Sequence, residues 1–464
     1  MSDSVGARAG RVALLLAVCG GPLLADRPPC AFDGAEPSVV LAIDGVPYSV
    51  VEQARRDGAF RGWPEARPLI ATFPSMTNVS FAAIFAPLGV EPIAGYEIPH
   101  FDHDAKRMVG RSPLGAKAHA YGWRALVDKE VPGIWDHLVV YTAPRRRALN
   151  ELAEVERKIW SGARGVHVVY VAATDSLTHF RGHDGILRYL RELARRLEVL
   201  QERYQKLHGR CLRLVLLSDH GNTERKVQRI GGLRSLLREA GFELGTRLRY
   251  PNDVVAPTFG LCNYGALYVQ EGRAEEAART VAAHPQVELA AFLSAEDRVT
   301  VVSRGGTAEL TWRSSDEGWW YRYRPGATDP LGLSDAVSRL RRRGSLDGEG
   351  YALQRDWLFE TVGETYPNAP QRIVDAFTGV HVRHTASVLF SIAQGYAWGR
   401  RAGYLGAAFK GGRLEGTHGG LDAESSLGFL LVNDPALDPG RAVSAAGALS
   451  FLKRGRVAFS ASGE

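Results

Sequence analysis

"CLRLVLLSDHG" (Cys211–Gly221) is a short leucine-rich run that stops abruptly at Ser-Asp-His-Gly. A short apolar run closed by polar residues and glycine is the pattern of a strand buried on both faces, as in a parallel sheet covered by helices. The same pattern recurs in "SVVLAIDG" (Ser38–Gly45) and "GVHVVYVAAT" (Gly165–Thr174). Between the last of these and Cys211 lies "GILRYLRELARRLEVLQERYQKL" (Gly185–Leu207), whose leucines recur three and four residues apart and mark a long amphipathic helix. Strand, helix, strand implies a right-handed parallel crossover, hence an α/β fold with a mostly parallel sheet flanked by helices. In such sheets functional groups collect beyond the carboxyl ends of the strands. Asp44, Asp175, Asp219 and His220 all fall there.

The chain has 464 residues, 45% hydrophobic and 23% charged, an ordinary globular composition with no fixed-period repeat. Its net charge of +6 is spread through mixed-sign segments. Runs such as "PRRRA" (144–148) and "RLRRRG" (339–344) read as solvated helix ends, so nucleic-acid binding is not expected, while a weakly basic surface suits anionic small molecules. At the N-terminus Arg8 and Arg11 precede "VALLLAV" (Val12–Val18), with a cleavage position after Ala25. Residues 1–25 are therefore expected to be a signal peptide and the protein to be exported, periplasmic, secreted or lipid-anchored. The apolar run is shorter than the about 20 residues a membrane-spanning helix needs, and no later segment supplies one. Cys19 in "LAVCGG" is a candidate lipid-anchor site, although Val18 stands where a small residue is expected. Removal of 1–25 leaves Cys30, Cys211 and Cys262, an odd number without metal-ligand spacing, and Cys211 is read as a small buried residue.

After Gly221 the texture changes. Alternating strands and one short helix suggest a small α+β subdomain inserted at 245–330 as a lid. Its aromatic run "GWWYRYRPG" (Gly318–Gly326) is read as core packing. The domain scheme is thus a first part of the catalytic core at 38–240, the insert at 245–330, and a helical return with the rest of the core at 331–464. "TASVLFSIA" and "EGTHGGLDAESSLGFLLVND" (Glu415–Asp434) are read as that return to the core.

"ATFPSMTNVSFAAIF" (Ala71–Phe85) places Thr77 where an extended segment becomes an apolar helix. Its hydroxyl could cap that helix. The sharper alternative is a nucleophile, since a helix N-terminus holds phosphate. Asp44, Asp175, His179, Asp219, His220 and His418 collect at strand ends and in one late loop. Three carboxylates and three imidazoles suit zinc, manganese or iron better than a hard all-oxygen ion. The "HFDHD" cluster (His100–Asp104) reads as a solvated loop, with a rim metal site as the alternative.

In this order, the motifs resemble the alkaline phosphatase superfamily, specifically its type I phosphodiesterase/nucleotide pyrophosphatase branch, over about 38–225 and 385–435. "LAIDG" matches the strand that ends in a metal-binding Asp (Asp44), and "PSMT" matches the segment that carries a Thr nucleophile (Thr77). "DSLTH" matches the Asp-x-x-x-His pair (Asp175, His179), "SDHG" the Asp-His-Gly (Asp219, His220), and "GTHGG" the late Thr-His-Gly (His418). The resemblance implies two divalent transition-metal ions, zinc first. One would be held by Asp44, Asp219, His220 and Thr77, the other by Asp175, His179 and His418. It also implies a small-molecule phosphoester substrate, most simply a diester, cleaved through a covalent threonine intermediate. A phosphomonoesterase, a phosphonate hydrolase and a non-catalytic metal-containing envelope protein are the other readings. Nucleotide-hydrolysing relatives carry an Asn downstream of the nucleophile, whereas "GYEIPHFDHD" (Gly95–Asp104) has none. Asn78 and His100 are the candidate substitutes for substrate binding.

Overall fold

The computed structural model describes residues 38–110, 121–127, 166–258, 262–399 and 414–454, with Phe32, Gly260 and a few positions between 145 and 156. The expected leader, Cys19 and Cys30 lie outside the described residues.

Six strands and three helices position the site. They are β1 (Ser38–Ile43), α1 (Tyr48–Arg56), β2 (Arg67–Ile70), α2 (Thr77–Phe85), β3 (Val166–Val171), α3 (Ala173–His208), β4 (Arg213–Leu217), β5 (Leu427–Val432) and β6 (Val443–Ser444). The sheet order is β6-β2-β5-β4-β1-β3. β1 runs parallel to β3 and β4, with Ser38 opposite Val166 and Arg213. β5 is antiparallel to β2 and β4, and β6 is parallel to β2. All six residues of β1 are buried, because the sheet is covered on both faces. Val40 and Ala42 pack into the core that holds Val79 and Phe81 of α2. Val39, Leu41 and Ile43 pack on the other side, against Val50 and Val51 of α1 and Leu190 and Leu193 of α3. The fold is α/β, as the strand pattern requires.

α3 begins just beyond β3 and bends at Gly182, whose φ of 56° and ψ of −156° are not helical. The stretch before the bend holds Asp175 and His179 four residues apart, hence on one helical face. The stretch after it is the expected amphipathic helix.

Among the described residues the second sheet has nine strands and is almost wholly antiparallel, with Glu243–Gly245 and Asp253–Val255 the one parallel pair. It takes in the strands from Tyr264–Val269 to Gly318–Pro325 and extends to Ala352–Leu353. Val388–Ile392, within the apolar run "TASVLFSIA", lies between Val287–Ala295 and Tyr264–Val269 in this second sheet. A short, fully apolar run shows that a strand is buried but not in which sheet. In the aromatic run, Tyr321 and Tyr323 are buried while Trp319 is 45% exposed. Arg339, Arg341 and Arg342 close the helix Ser334–Arg342, and Arg339 pairs with Glu360 and Glu364. The reading of Cys211 is corrected, since it is disulfide-bonded, whereas Cys262 is a buried free thiol. Among the described residues no helix is long and apolar enough to cross a membrane.

Candidate active site

Because β1 and β4 are parallel, their carboxyl ends bring Asp44 together with Asp219 and His220. Asp219 Oδ1 accepts from the Gly45 N–H at 3.2 Å. His220 Nε2 lies 3.4 Å from both Asp44 Oδ1 and Asp219 Oδ2. Thr77 is the first residue of α2. Met76 occupies the cap position, and no side chain caps the helix. The Thr77 hydroxyl instead donates to Asp44 Oδ1 at 3.2 Å and lies 3.2 Å from His220 Nε2. The capping reading of Thr77 therefore fails.

Asp175 and His179 come from the start of α3, and His418 from the loop before β5. Asp175 Oδ1 is 3.3 Å from His179 Nε2 and 3.7 Å from His418 Nε2. The rings of His220 and His418 stack at 3.9 Å, which joins the two groups into one patch. Gly45 allows this approach: its φ is +66°, and a Cβ there would lie 2.6 Å from Asp175 Oδ1.

The donor set suits divalent cations. Potential ligand atoms of Asp44, Asp219 and His220 lie within 4.8 Å of one another, as do those of Asp175, His220 and His418. His179 meets the second group through Asp175. Each imidazole turns Nδ1 toward a main-chain carbonyl: His179 to Gly416 O at 2.7 Å, His220 to Gly221 O at 2.7 Å, and His418 to Ser75 O at 2.9 Å. That leaves Nε2 facing the carboxylates, the orientation of a metal-ligating histidine. Asp175 Oδ1 and Asp219 Oδ2 are buried and accept no hydrogen bond among the described residues.

Without a cation these charges are costly. Burial pushes the Asp219 carboxyl well above the usual carboxylate range and also raises Asp44, which the nearby Asp175 charge raises further. Burial alone would lower His220, but Asp219 and Asp44 outweigh it and hold the imidazole at about 10. Burial and the neighbouring His220 push His418 down to about 3. Asp175, half-buried, is raised by burial but held below its usual range by His179 and His418. A divalent cation would replace the trapped protons and relieve the repulsion between carboxylates.

A model of the family described as type I phosphodiesterase / nucleotide pyrophosphatase matches residues 49–335, more than half of the chain. The chain belongs to that family. It is thus a phosphoester hydrolase of the alkaline phosphatase superfamily, and the family is metal-dependent. Among solved structures, murine ectonucleotide pyrophosphatase / phosphodiesterase 5 is 12% identical with a TM-score of 0.45, covering 91% of this chain and 95% of its own. The human protein of that name gives 11% identity and 0.46, covering 91% and 95%. Phosphonoacetate hydrolase from Sinorhizobium meliloti 1021 gives 11% identity and 0.43, covering 91% and 96%. No curated protein sequence matches the chain.

The two substrate-binding candidates part company. Asn78 is buried beside Thr77, and its side-chain amide donates to Glu97 Oε1 at 3.3 Å. His100 groups instead with Asp102 and His384. Sequence reasoning missed Tyr170, whose hydroxyl donates to Asp44 Oδ2 at 2.5 Å. Its only signal was a polar-tipped side chain near the end of an apolar strand. It also missed Asn263 of the second sheet region, whose Oδ1 accepts from the Gly420 N–H at 2.6 Å and whose Nδ2 donates to Asp422 Oδ2 at 3.2 Å, bracing the loop that carries His418. Nothing in the sequence links residues so far apart.

Proposed function

We propose that the protein is an exported two-metal phosphodiesterase that uses Thr77 as its nucleophile. The observation that carries this reading is the Thr77 hydroxyl, freed from capping and held 3.2 Å from both Asp44 Oδ1 and His220 Nε2. Asp44, Asp219, His220 and Thr77 would hold one ion, and Asp175, His179 and His418 the other, with zinc as the first candidate. Such ions supply Lewis-acid stabilisation of negative charge on the entering and leaving oxygens.

The chain's own residues do the rest. The Thr77 hydroxyl gives up its proton to solvent water as Oγ1 forms its bond to phosphorus, while Asp44 Oδ1, within hydrogen-bond reach of that oxygen, orients it and the Tyr170 hydroxyl holds the Asp44 carboxylate through Oδ2. Among the described residues no side chain caps the first turn of α2, whose N–H groups have no intrahelical partner and could donate to phosphoryl oxygens, and the helix dipole favours the anion there. The bond to the leaving alcohol breaks as its oxygen takes up a proton from solvent water, leaving the phosphoryl group on Thr77. Water then attacks phosphorus and loses a proton to solvent, the Thr77 Oγ1–P bond breaks, and the Thr77 oxygen takes up a proton to restore the hydroxyl.

Export is supported by the leader-like sequence and by the Cys211 disulfide, which suits an oxidising compartment. A covering role for the 245–330 region is supported by Asn263, whose N–H donates to the His418 carbonyl at 3.0 Å. The test is side-by-side hydrolysis of an aryl phosphodiester, an aryl phosphomonoester and an aryl phosphonate by the metal-loaded protein. The diester should have the highest kcat/KM; preference for either alternative would replace the substrate class proposed here.

A further inference from the structure

Arg372 lies on the helix Ala369–Phe377, which packs on the second sheet, and only 3% of it is exposed. Among the described residues no carboxylate reaches it as an ion-pair partner. Its two Nη groups donate to oxygens from separate segments, whereas Nε has no acceptor among the described residues. Nη2 donates to Thr72 O at 3.1 Å, Ser75 Oγ at 3.0 Å and Ser426 Oγ at 2.6 Å. Nη1 donates to Leu421 O at 2.8 Å and Pro367 O at 3.1 Å.

These acceptors are not arbitrary. Thr72 and Ser75 form the turn that delivers Thr77, while Leu421 and Ser426 follow His418 on the way to β5. Ser75 joins the two: its N–H donates to Gly419 O at 3.1 Å, its hydroxyl to Gly420 O at 2.8 Å, and its carbonyl accepts from His418 Nδ1 at 2.9 Å. A buried cation with no carboxylate in contact is expensive, and burial, opposed by the charge of Asp422, lowers Arg372 to about 9, which still leaves it charged at neutral pH. Holding loops together does not require that expense. A planar five-donor fork does what Lys or Gln cannot, fixing acceptors on several segments in one rigid geometry.

We propose that Arg372 is a positioning residue for phosphoryl transfer: through Ser75 it locks the turn bearing Thr77 to the loop bearing His418, so that nucleophile and imidazole keep one relative placement. This rests on the reading of Thr77 and His418 given above. Because displacements of about 1 Å at a reacting centre can cost about a hundredfold in rate, the effect should appear in kcat rather than in KM.

The test compares Arg372→Lys, Ser75→Ala and the double variant. Arg372→Lys should lower kcat at least about thirtyfold with KM within about threefold, and Ser75→Ala should lower kcat by about tenfold, both short of the hundredfold bound for a displaced reacting centre. The double variant should be little worse than Arg372→Lys alone, since both act through one contact. Independently of activity, nitrogen NMR of the histidine-labelled, metal-free protein should show the His418 Nδ1–H signal shifted or broadened in both single variants. If Arg372→Lys fails to fold, Ser75→Ala carries the test. Two results would overturn the proposal: kcat within about twofold of the parent with an unchanged His418 signal, well inside the effect of a misplaced reacting group, or a kcat loss that vanishes when corrected for the folded fraction. If the parent hydrolyses no phosphoester, the functional reading fails, while the His418 signal still decides whether Arg372 positions that loop.

Discussion

The two sheets use burial in opposite ways. The parallel sheet hides charge: Asp219 and His220 are both 0% exposed, and Asp44 and His418 are 5% exposed. The antiparallel sheet hides aromatic and aliphatic groups, with Tyr321, Leu310 and Trp357 packed against it, and keeps its ion pairs outside, as where Arg313 meets Glu349 at 3.0 Å. Buried charge is destabilising unless it is paired or bound to a cation. The first region therefore gives up stability in exchange for a reactive site, whereas the second supplies stability and braces the His418 loop.

This contrast can be broken at either end. Replacing Thr77 by Ala should lower turnover by at least about a thousandfold, or roughly 4 kcal/mol of barrier, with both metals still bound by elemental analysis and little change in Tm. Replacing Trp357 by Ala should do the reverse. Its ring is fully buried and its indole N–H donates to Tyr321 O at 2.9 Å, so chemical denaturation should show a loss of about 3–5 kcal/mol, while kcat per folded molecule stays within about twofold. A Trp357 variant that is stable but inactive would show that the second sheet has a direct part in the chemistry.

Metal removal sharpens the comparison further. In the metal-free protein His220 is raised to about 10, so its stabilising proton is fully present below its ordinary value of 6.5 and is lost as pH rises through about 10. Asp219 and Asp44 are raised too, so the fold retains protons the unfolded chain has released, and that contribution also weakens with rising pH. His418, lowered to about 3, acts only below 6.5. Between pH 6.5 and 10 the Tm of chelated protein should therefore fall, and the gap to the metal-loaded protein should widen; a constant gap would contradict the electrostatic account. A smaller effect is expected at Tyr170. Tyr170→Phe removes one hydrogen bond to Asp44 and should cost about tenfold in kcat, on the order of 1.4 kcal/mol, measurable by steady-state assay of the metal-loaded variant.

The parallel core was legible because buried strands leave continuous apolar runs, and the polar residues that end them must meet in one crevice. That is how Asp44, Asp175, Asp219 and His220 could be grouped without a structure. His179 and His418 were grouped with them, although a lone histidine in a loop such as His418 has no periodicity, and the family resemblance gave each its share of the two ions. The sheet to which Val388–Ile392 belongs was not legible, because sheet membership is set by pairing partners, which a buried strand does not display. Tyr170, Asn263 and Arg372 act through contacts between distant segments, and local patterns cannot show those. Thr77 carried two readings until the direction of its hydroxyl was known, as capping and nucleophilic residues begin helices alike.

The central claim is that phosphorus is attacked by Thr77 before it is attacked by water. Two successive in-line displacements leave the configuration at phosphorus unchanged, whereas direct attack by water inverts it. Hydrolysis of a phosphodiester made chiral by sulfur substitution, carried out in isotopically labelled water and read by phosphorus NMR, distinguishes the two. Net retention is the result expected here; net inversion would show that Thr77 never bonds to phosphorus and would contradict the mechanism.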